Sequence, residues 1–188
     1  DESEVPLREM MRFDGKLYNH AYSFKYPKAG ERNSVVQLWV ADLQTGAKER
    51  IDTGPETDQY IPRIGWTPDG RPWFYRLNRR QTTFEMIVCE PHGAQRTVYE
   101  ERARQYVERV DDKTVTFVDK DRFLVRQESH TGFMHLYLYS LRRGILEQVT
   151  KGDWEVTEVV GCDGKRVWYL STETSPLRRN LYSIRLDG

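Results

Sequence analysis

The sequence has no surplus charge, no long apolar run and almost no cysteine. Lys and Arg together number 29, as do Asp and Glu, so the formal net charge at pH 7 is zero. A general nucleic-acid binder needs a basic surplus to neutralise phosphates, and the composition argues against that class. No stretch approaches the roughly 20 apolar residues of a membrane helix. The two cysteines, Cys89 and Cys162, argue against a disulfide framework but do not fix the redox compartment.

The motifs of the common catalytic classes are also missing. No two glycines bracket a serine as Gly-x-Ser-x-Gly, and no glycine-rich phosphate or dinucleotide loop occurs. The four histidines are His20, His92, His130 and His135. The last two are closest, but their odd separation would put them on opposite faces of a strand, and no cysteine lies near enough for a zinc site. We therefore predict loop and sheet-surface histidines, no cofactor, no metal and no catalytic residue.

A strand pattern recurs along the chain. Segments such as Leu-Tyr-Leu-Tyr begin at Leu38, Met86, Leu136 and Leu181, which are 48, 50 and 45 residues apart. The last three each follow another apolar run that starts 13 residues earlier, at Trp73, Phe123 and Trp168. A hairpin repeated at this period is typical of the four-stranded blades of a β-propeller.

Turn signals divide the chain into four blade-like units, at about residues 1–55, 60–101, 106–150 and 154–188. Asp69-Gly70 and Asp163-Gly164 separate apolar runs, and glycine accepts the positive φ that such turns need. The fold class predicted is all-β, a partial β-propeller of about three to four four-stranded antiparallel blades. Residues 5–20 are expected to form an extended arm or irregular strand. An ordinary β-sandwich with chance spacing is the alternative.

Charged and aromatic side chains within these units have mainly structural interpretations. Glu100 and Glu101 could bind a cationic amino group, but neighbours on a strand face opposite ways, so a solvated blade edge is the favoured interpretation. Trp66, Trp73 and Trp168 occupy strand positions and are predicted to be core residues. Trp154 is predicted to pack before the fourth unit.

Several segments resemble one family specifically, and together they extend over essentially the whole chain. The segments are Asp1-Glu2-Ser3-Glu4-Val5-Pro6, Tyr26-Pro27-Lys28-Ala29-Gly30 with Asn33, His135-Leu136-Tyr137-Leu138-Tyr139, Lys151-Gly152-Asp153-Trp154-Glu155-Val156 and Arg179-Asn180-Leu181-Tyr182. In this order they resemble the propeller of dipeptidyl peptidase IV and its bacterial relatives.

The resemblance implies an enzyme of two parts, an eight-bladed propeller and an α/β-hydrolase domain with a Ser-Asp-His triad. Such enzymes release amino-terminal dipeptides with proline or alanine in the second position. The chain would be a non-catalytic propeller fragment that gates and positions the peptide, with the C-terminal hydrolase domain as its partner. A periplasmic or membrane-anchored extracytoplasmic setting follows by analogy. The chain opens with Asp1-Glu2-Ser3-Glu4 and no signal peptide, so it is expected to begin inside a longer protein.

The resemblance also suggests a substrate contact. Some relatives place an aromatic residue and an arginine near the peptide, in the stretch that matches residues 107–113. Val110 and Asp111 occupy the matching positions, and Arg109 is the nearest basic substitute. The pair of glutamates that holds the substrate amino terminus lies upstream of the segment matching Asp1 to Pro6, so Glu100 and Glu101 do not take that role.

Two other interpretations remain open. A stand-alone propeller would serve as a protein–protein interaction module, and a related oligopeptidase such as an acylaminoacyl peptidase would share the architecture. Because a fragment of a propeller exposes strand edges and apolar flanks, we also expect self-association. In that state the first 20 residues are swapped onto a neighbour or are mobile.

Overall fold

The chain is built from β-strands, as the sequence predicts. The computed structural model describes residues 1–108, 110–128 and 132–187. Within these residues there is no α-helix, and one short 3-10 turn spans Pro91–Gly93. The paired strands described below run antiparallel. The chain divides into two compact units, residues 1–60 and 61–188.

Unit 1 consists of two hairpins and a short fifth strand. Its strands are β1 (Leu7–Arg12), β2 (His20–Lys25), β3 (Leu38–Ala41), β4 (Lys48–Ile51) and β5 (Gln59–Tyr60). β1 pairs with β2 over its whole length, from Leu7 opposite Lys25 to Arg12 opposite His20. Of the two alternatives expected for residues 5–20, an extended arm or an irregular strand, residues 7–12 form a strand, and that strand is regular.

The first sheet of unit 2 contains four strands in chain order. They are β6 (Ile64–Trp66), β7 (Pro72–Asn78), β8 (Thr83–Cys89) and β9 (Gln95–Arg102). The β6–β7 turn uses Gly70 at φ 87°, a conformation that side chains with a Cβ avoid. Its amide donates to the carbonyl oxygen of Thr67 at 2.9 Å, which closes the turn predicted at Asp69-Gly70.

Two further sheets repeat this arrangement. The second contains β10 (Val115–Phe117), β11 (Arg122–Gln127), β12 (His135–Ser140) and β13 (Gly144–Gln148), and the third contains β14 (Val156–Cys162), β15 (Arg166–Ser171) and β16 (Asn180–Arg185). Met86, Leu136 and Leu181 lie in β8, β12 and β16, the third strand of each sheet. The equivalence inferred from the repeat is confirmed, while the limits of the four blade-like units stay a prediction.

Aromatic rings fill the space between the first two sheets of unit 2. Seven rings form a closed circuit in which neighbouring centroids lie 4.8 to 6.4 Å apart, in the order Trp73, Tyr75, Phe84, Tyr99, Tyr139, Phe123 and Phe117. Edge-to-face and offset pairs add stabilisation beyond the area that they bury. The circuit joins residues of β7, β8 and β9 to residues of β10, β11 and β12.

A hydrophobic cluster joins the second and third sheets. Its buried members are Leu124, Leu136, Leu138, Val149, Val156, Val167, Tyr169 and Leu186. Trp154 packs against this cluster from the connection that leads into β14, as predicted.

One tryptophan is not where the sequence pattern placed it. Trp66 is 59% exposed, so the prediction that it belongs to the core is wrong. It is the last residue of the short strand β6, whose Ile64 is equally exposed. Trp73 and Trp168 are half-buried, and the Trp73 ring lies 4.8 Å from that of Tyr75.

Candidate functional site

The predicted substrate-contact residues belong to the connection between β9 and β10. Val110 and Asp111 are both half-buried there. Arg109 lies outside the described residues. The segment 110–114, here called the inner turn, ends where β10 begins.

Hydrogen bonds within the inner turn fix its shape. Asp111 Oδ1 accepts from the Lys113 amide at 2.8 Å, and the Asp111 amide donates to Thr114 Oγ1 at 2.9 Å. The Thr114 amide donates back to the Asp111 carbonyl oxygen at 3.3 Å. Asp and Thr favour this local arrangement because their short side chains reach nearby backbone groups.

A buried guanidinium lies directly behind the inner turn. Arg126, in β11, has a side chain only 3% exposed. Its Nε donates to the Lys113 carbonyl oxygen at 3.2 Å, and its Nη1 donates to the Thr157 carbonyl oxygen of β14 at 2.6 Å. Its Nη2 lies 3.7 Å from Asp111 Oδ1. One side chain therefore contacts the inner turn and the third sheet together.

Two exposed ion pairs connect the inner turn to neighbouring sheets. Asp112 pairs with Arg63, which precedes β6, and Lys113 Nζ lies 2.7 Å from Glu158 Oε1 in β14. The buried Tyr75 lies in the same neighbourhood. Burial, and after it the charges of Asp111 and Asp112, raise the pKa of its phenol, so Tyr75 stays neutral. The inner turn is thus a polar junction of three sheets.

The second acidic pair behaves differently from the solvated edge expected of it. Glu100 is exposed and pairs with Arg102, whereas Glu101 is only 7% exposed. Tyr99 donates its hydroxyl hydrogen to Glu101 Oε2 at 2.7 Å, and burial followed by Glu101 raises the pKa of Tyr99 well above its usual range. The expectation is wrong for Glu101, but the two carboxylates do diverge, as strand geometry requires. They do not form one amine-binding site.

The prediction of surface histidines is wrong for His135. Its ring is fully buried, with Nε2 2.8 Å from the Gly152 carbonyl oxygen and Nδ1 3.1 Å from Thr150 Oγ1. Trp154 meets this ring edge-on at 5.0 Å between centroids. The sequence predicted that Trp154 packs at this point of the chain, but it did not show that His135 is one of its partners.

The other histidines offer little chemistry. His20 Nε2 lies 3.9 Å from Asp14 Oδ2, while His130 and the side chain of His92 lie outside what the structure describes. Across the described residues no group of three or more His, Cys, Asp or Glu side chains is placed to hold a metal ion. Cys89 and Cys162 form no disulfide with each other.

Each unit also has an open groove. The groove in unit 1, of about 430 Å³, is lined by residues that include Ser3, Glu4, Glu31, Asn33 and Asp58. Arg8 donates to Glu31 and holds the pKa of that carboxyl below its usual value. The groove in unit 2, of about 700 Å³, is lined by Arg122, Lys165, Arg166 and Arg185 together with Asp163 and Asp187. Acidic side chains outnumber basic ones in the groove of unit 1, and basic side chains outnumber acidic ones in the groove of unit 2.

The described residues were also searched for a helix that could span a membrane. No helix there has the length and apolar character that a bilayer span requires.

Known proteins align with the whole length of this chain. Inactive dipeptidyl peptidase 10 of Rattus norvegicus is 29% identical over 204 aligned residues, covering 100% of this chain and 26% of that protein. Dipeptidyl peptidase 4 of Arthroderma otae is 26% identical over 209 aligned residues, again covering all of this chain and 26% of the relative. The chain thus spans about a quarter of the length of these relatives.

A solved structure gives the same result for the fold. The crystal structure of Porphyromonas gingivalis dipeptidyl peptidase 4 matches with a TM-score of 0.88 and 34% identity, over 100% of this chain and 27% of that one. The predicted all-β partial propeller is confirmed. The sequence model of the family described as the dipeptidyl peptidase IV (DPP IV) N-terminal region matches residues 1–188. The chain therefore belongs to the dipeptidyl peptidase IV N-terminal region family.

Proposed function

We propose that the chain is the non-catalytic propeller portion of a dipeptidyl peptidase IV-like serine exopeptidase. The match of all 188 residues to the N-terminal region of that family carries the proposal. The parent enzyme would release Xaa-Pro or Xaa-Ala dipeptides from peptide amino termini. A C-terminal α/β-hydrolase domain, the partner of this chain, would perform the acyl transfer.

The chemistry of the described side chains supports a non-catalytic role. Nucleophilic catalysis needs a base within hydrogen-bond reach of a serine or cysteine. His135 Nδ1 lies 3.1 Å from the Thr150 hydroxyl, but both side chains are buried, so a substrate cannot reach this pair. His20 lies beside Asp14. Neither histidine is arranged to activate a nucleophile.

The inner turn is the part of this chain that we propose to contact the peptide. Val110 and Asp111 hold the positions that the family resemblance suggests, and both are partly accessible. Asp111 presents a carboxylate on a turn that hydrogen bonds and Arg126 hold in place. A fixed carboxylate beside an apolar side chain can orient a peptide without taking part in bond cleavage. In this role the propeller gates and positions the substrate.

Steady-state kinetics of the full-length protein tests this role. With a chromogenic Gly-Pro substrate, Asp111→Asn should raise KM by about tenfold, equivalent to about 1.4 kcal/mol of binding, with little change in kcat. Lys120→Ala, an exposed change in the turn before β11, is the matched control and should leave KM unaltered. An unchanged KM in Asp111→Asn would overturn the role assigned to the inner turn.

A protein–protein interaction module is the second candidate. One observation favours it: a relative that aligns with the entire chain is named an inactive dipeptidyl peptidase. A region similar to this chain therefore occurs in a protein that is named as inactive. A Gly-x-Ser-x-Gly segment elsewhere in the full-length sequence would favour the peptidase, and its absence would favour the interaction module.

A further inference from the structure

We infer that Arg126 is a positioning residue that holds the inner turn in its shape. The inference about the turn stands on contacts alone, and its consequence for substrate rests on the function proposed above. Arg126 does not itself line an accessible surface, because its side chain is 3% exposed. Its effect on a bound peptide would pass through the backbone of residues 111–114.

The buried guanidinium of Arg126 needs hydrogen-bond acceptors around it. A guanidinium removed from water is stable only when its donors find acceptors. Its acceptors include the carbonyl oxygens of Lys113 and Thr157, at 3.2 and 2.6 Å. The Arg126 amide also donates to the Thr114 carbonyl oxygen at 3.1 Å. Both the main chain and the side chain of this residue therefore hold the inner turn.

The shape of the guanidinium matters as much as its charge. Arginine presents several N–H donors in a rigid planar fork, whereas the lysine ammonium is a single compact group on a flexible stem. The fork reaches Lys113 on one side and Thr157 on the other, while a third nitrogen faces Asp111. A lysine at position 126 would keep the charge and lose the simultaneous contacts.

The exposed ion pairs around the turn cannot replace this contact. Arg63 pairs with Asp112, and Lys113 pairs with Glu158, at the surface. Exposed pairs contribute little and are weakened by salt, whereas a shielded contact is screened far less. Cutting the pair of Lys113 with Glu158 should therefore leave the turn intact.

Hydrogen exchange of the full-length protein, measured by mass spectrometry, tests the inference. The amides of Asp111, Lys113 and Thr114 are hydrogen-bonded and should be protected in the wild type. Arg126→Lys should speed exchange of a peptide covering the inner turn by about tenfold or more, as expected for loss of a charged hydrogen bond. Glu158→Gln is the control and should leave that peptide unchanged.

Other segments separate a local effect from general unfolding. Peptides from β7 and β8 should keep their protection in Arg126→Lys, because the change is confined to the turn. Equal effects of Arg126→Lys and Glu158→Gln, or no effect of Arg126→Lys, would overturn the inference. If Arg126→Lys unfolds throughout, hydrogen exchange of the wild-type protein tests the inference instead. Inner-turn amides that exchange as slowly as those of β11 support the inference, and exchange as fast as in an unstructured peptide overturns it.

The kinetics of the same variant separate this inference from the proposed function. If Arg126→Lys loosens the turn and raises KM for the Gly-Pro substrate, both stand. If the turn loosens and KM is unchanged, Arg126 remains a positioning residue while the substrate role of the turn fails.

Discussion

The Nε2 atom of His135 lies 2.8 Å from the carbonyl oxygen of Gly152. This contact connects the start of β12 to the segment that leads from the second sheet into the third. Thr150 completes it, because its hydroxyl oxygen accepts from the Leu136 amide at 2.9 Å and lies 3.1 Å from His135 Nδ1. A histidine with Nε2 protonated satisfies every one of these groups, with the Thr150 hydroxyl donating to Nδ1.

Gly152 should tolerate no larger residue. Its φ is 141°, and a Cβ placed on it would lie 2.2 Å from Trp154 Nε1. Backbone strain and displacement of the indole should together destabilise Gly152→Ala by about 2–5 kcal/mol in urea unfolding. Gly164→Ala is the control, since φ there is 89° but a Cβ would meet no atom within 4 Å. Equal losses in the two variants would show that the indole does not restrict position 152.

Replacement of His135 should lower the stability of the fold, because two buried groups lose their hydrogen-bond partner. His135→Leu keeps an apolar side chain of similar bulk, but the Gly152 carbonyl oxygen and the Thr150 hydroxyl lose a buried partner. The expected cost is about 1–3 kcal/mol in the free energy of unfolding. A double-mutant cycle with Thr150→Val measures the coupling, and additive losses would contradict the contact.

The repeat revealed the strands but not the groups buried between sheets. The period of the repeat predicted three strand pairs, β7 with β8, β11 with β12, and β15 with β16, because the apolar side chains of these strands are needed in the core. The β1–β2 hairpin was missed because Leu7, Met10 and Met11 follow no alternation and are exposed. Trp66 and Ile64 share one face of β6 and are both exposed, so this face is not buried, and the local sequence pattern does not reveal that.

The burial of certain polar side chains could not be predicted from the sequence either. Glu101 accepts a hydrogen bond from Tyr99, whose ring lies 5.1 Å from that of Tyr139 in another sheet. Arg126 was overlooked because its two carbonyl partners are 13 and 31 residues away in the chain. Both cases rest on tertiary contacts, whereas the inner turn itself was found through the family resemblance.

Stability should fall at high pH because of the buried tyrosines. Burial, and after it Glu101, raises the pKa of Tyr139 to about 12, compared with about 10 for an unfolded chain. Between these values the folded chain holds a proton that the unfolded chain has lost, so the free energy of unfolding decreases as pH rises. Denaturation followed from pH 9 to pH 12 should show a smaller slope in Tyr139→Phe, and an identical slope would contradict the assignment.

Self-association of the isolated chain stays a prediction that the β1–β2 hairpin now makes specific. Phe13, Leu17 and Tyr18 are each more than three-quarters exposed, at and beside the turn between β1 and β2. Light scattering at micromolar concentration should show a dimer or larger species, and replacing all three residues by serine should reduce its mass. Leu177→Ser, at an equally exposed position of unit 2, is the control. A clean wild-type monomer that binds no apolar dye would refute the expectation.

Turnover of a chromogenic Gly-Pro substrate by the isolated chain and by the full-length protein, measured side by side, decides whether this chain is a non-catalytic part of a peptidase. We expect background turnover by the isolated chain, with circular dichroism confirming its β-structure, and turnover by the full-length protein that a serine-reactive inhibitor abolishes. Activity that copurifies with the isolated chain and is lost with the same inhibitor would contradict a non-catalytic propeller. A full-length protein with no turnover would contradict the peptidase and leave the interaction module.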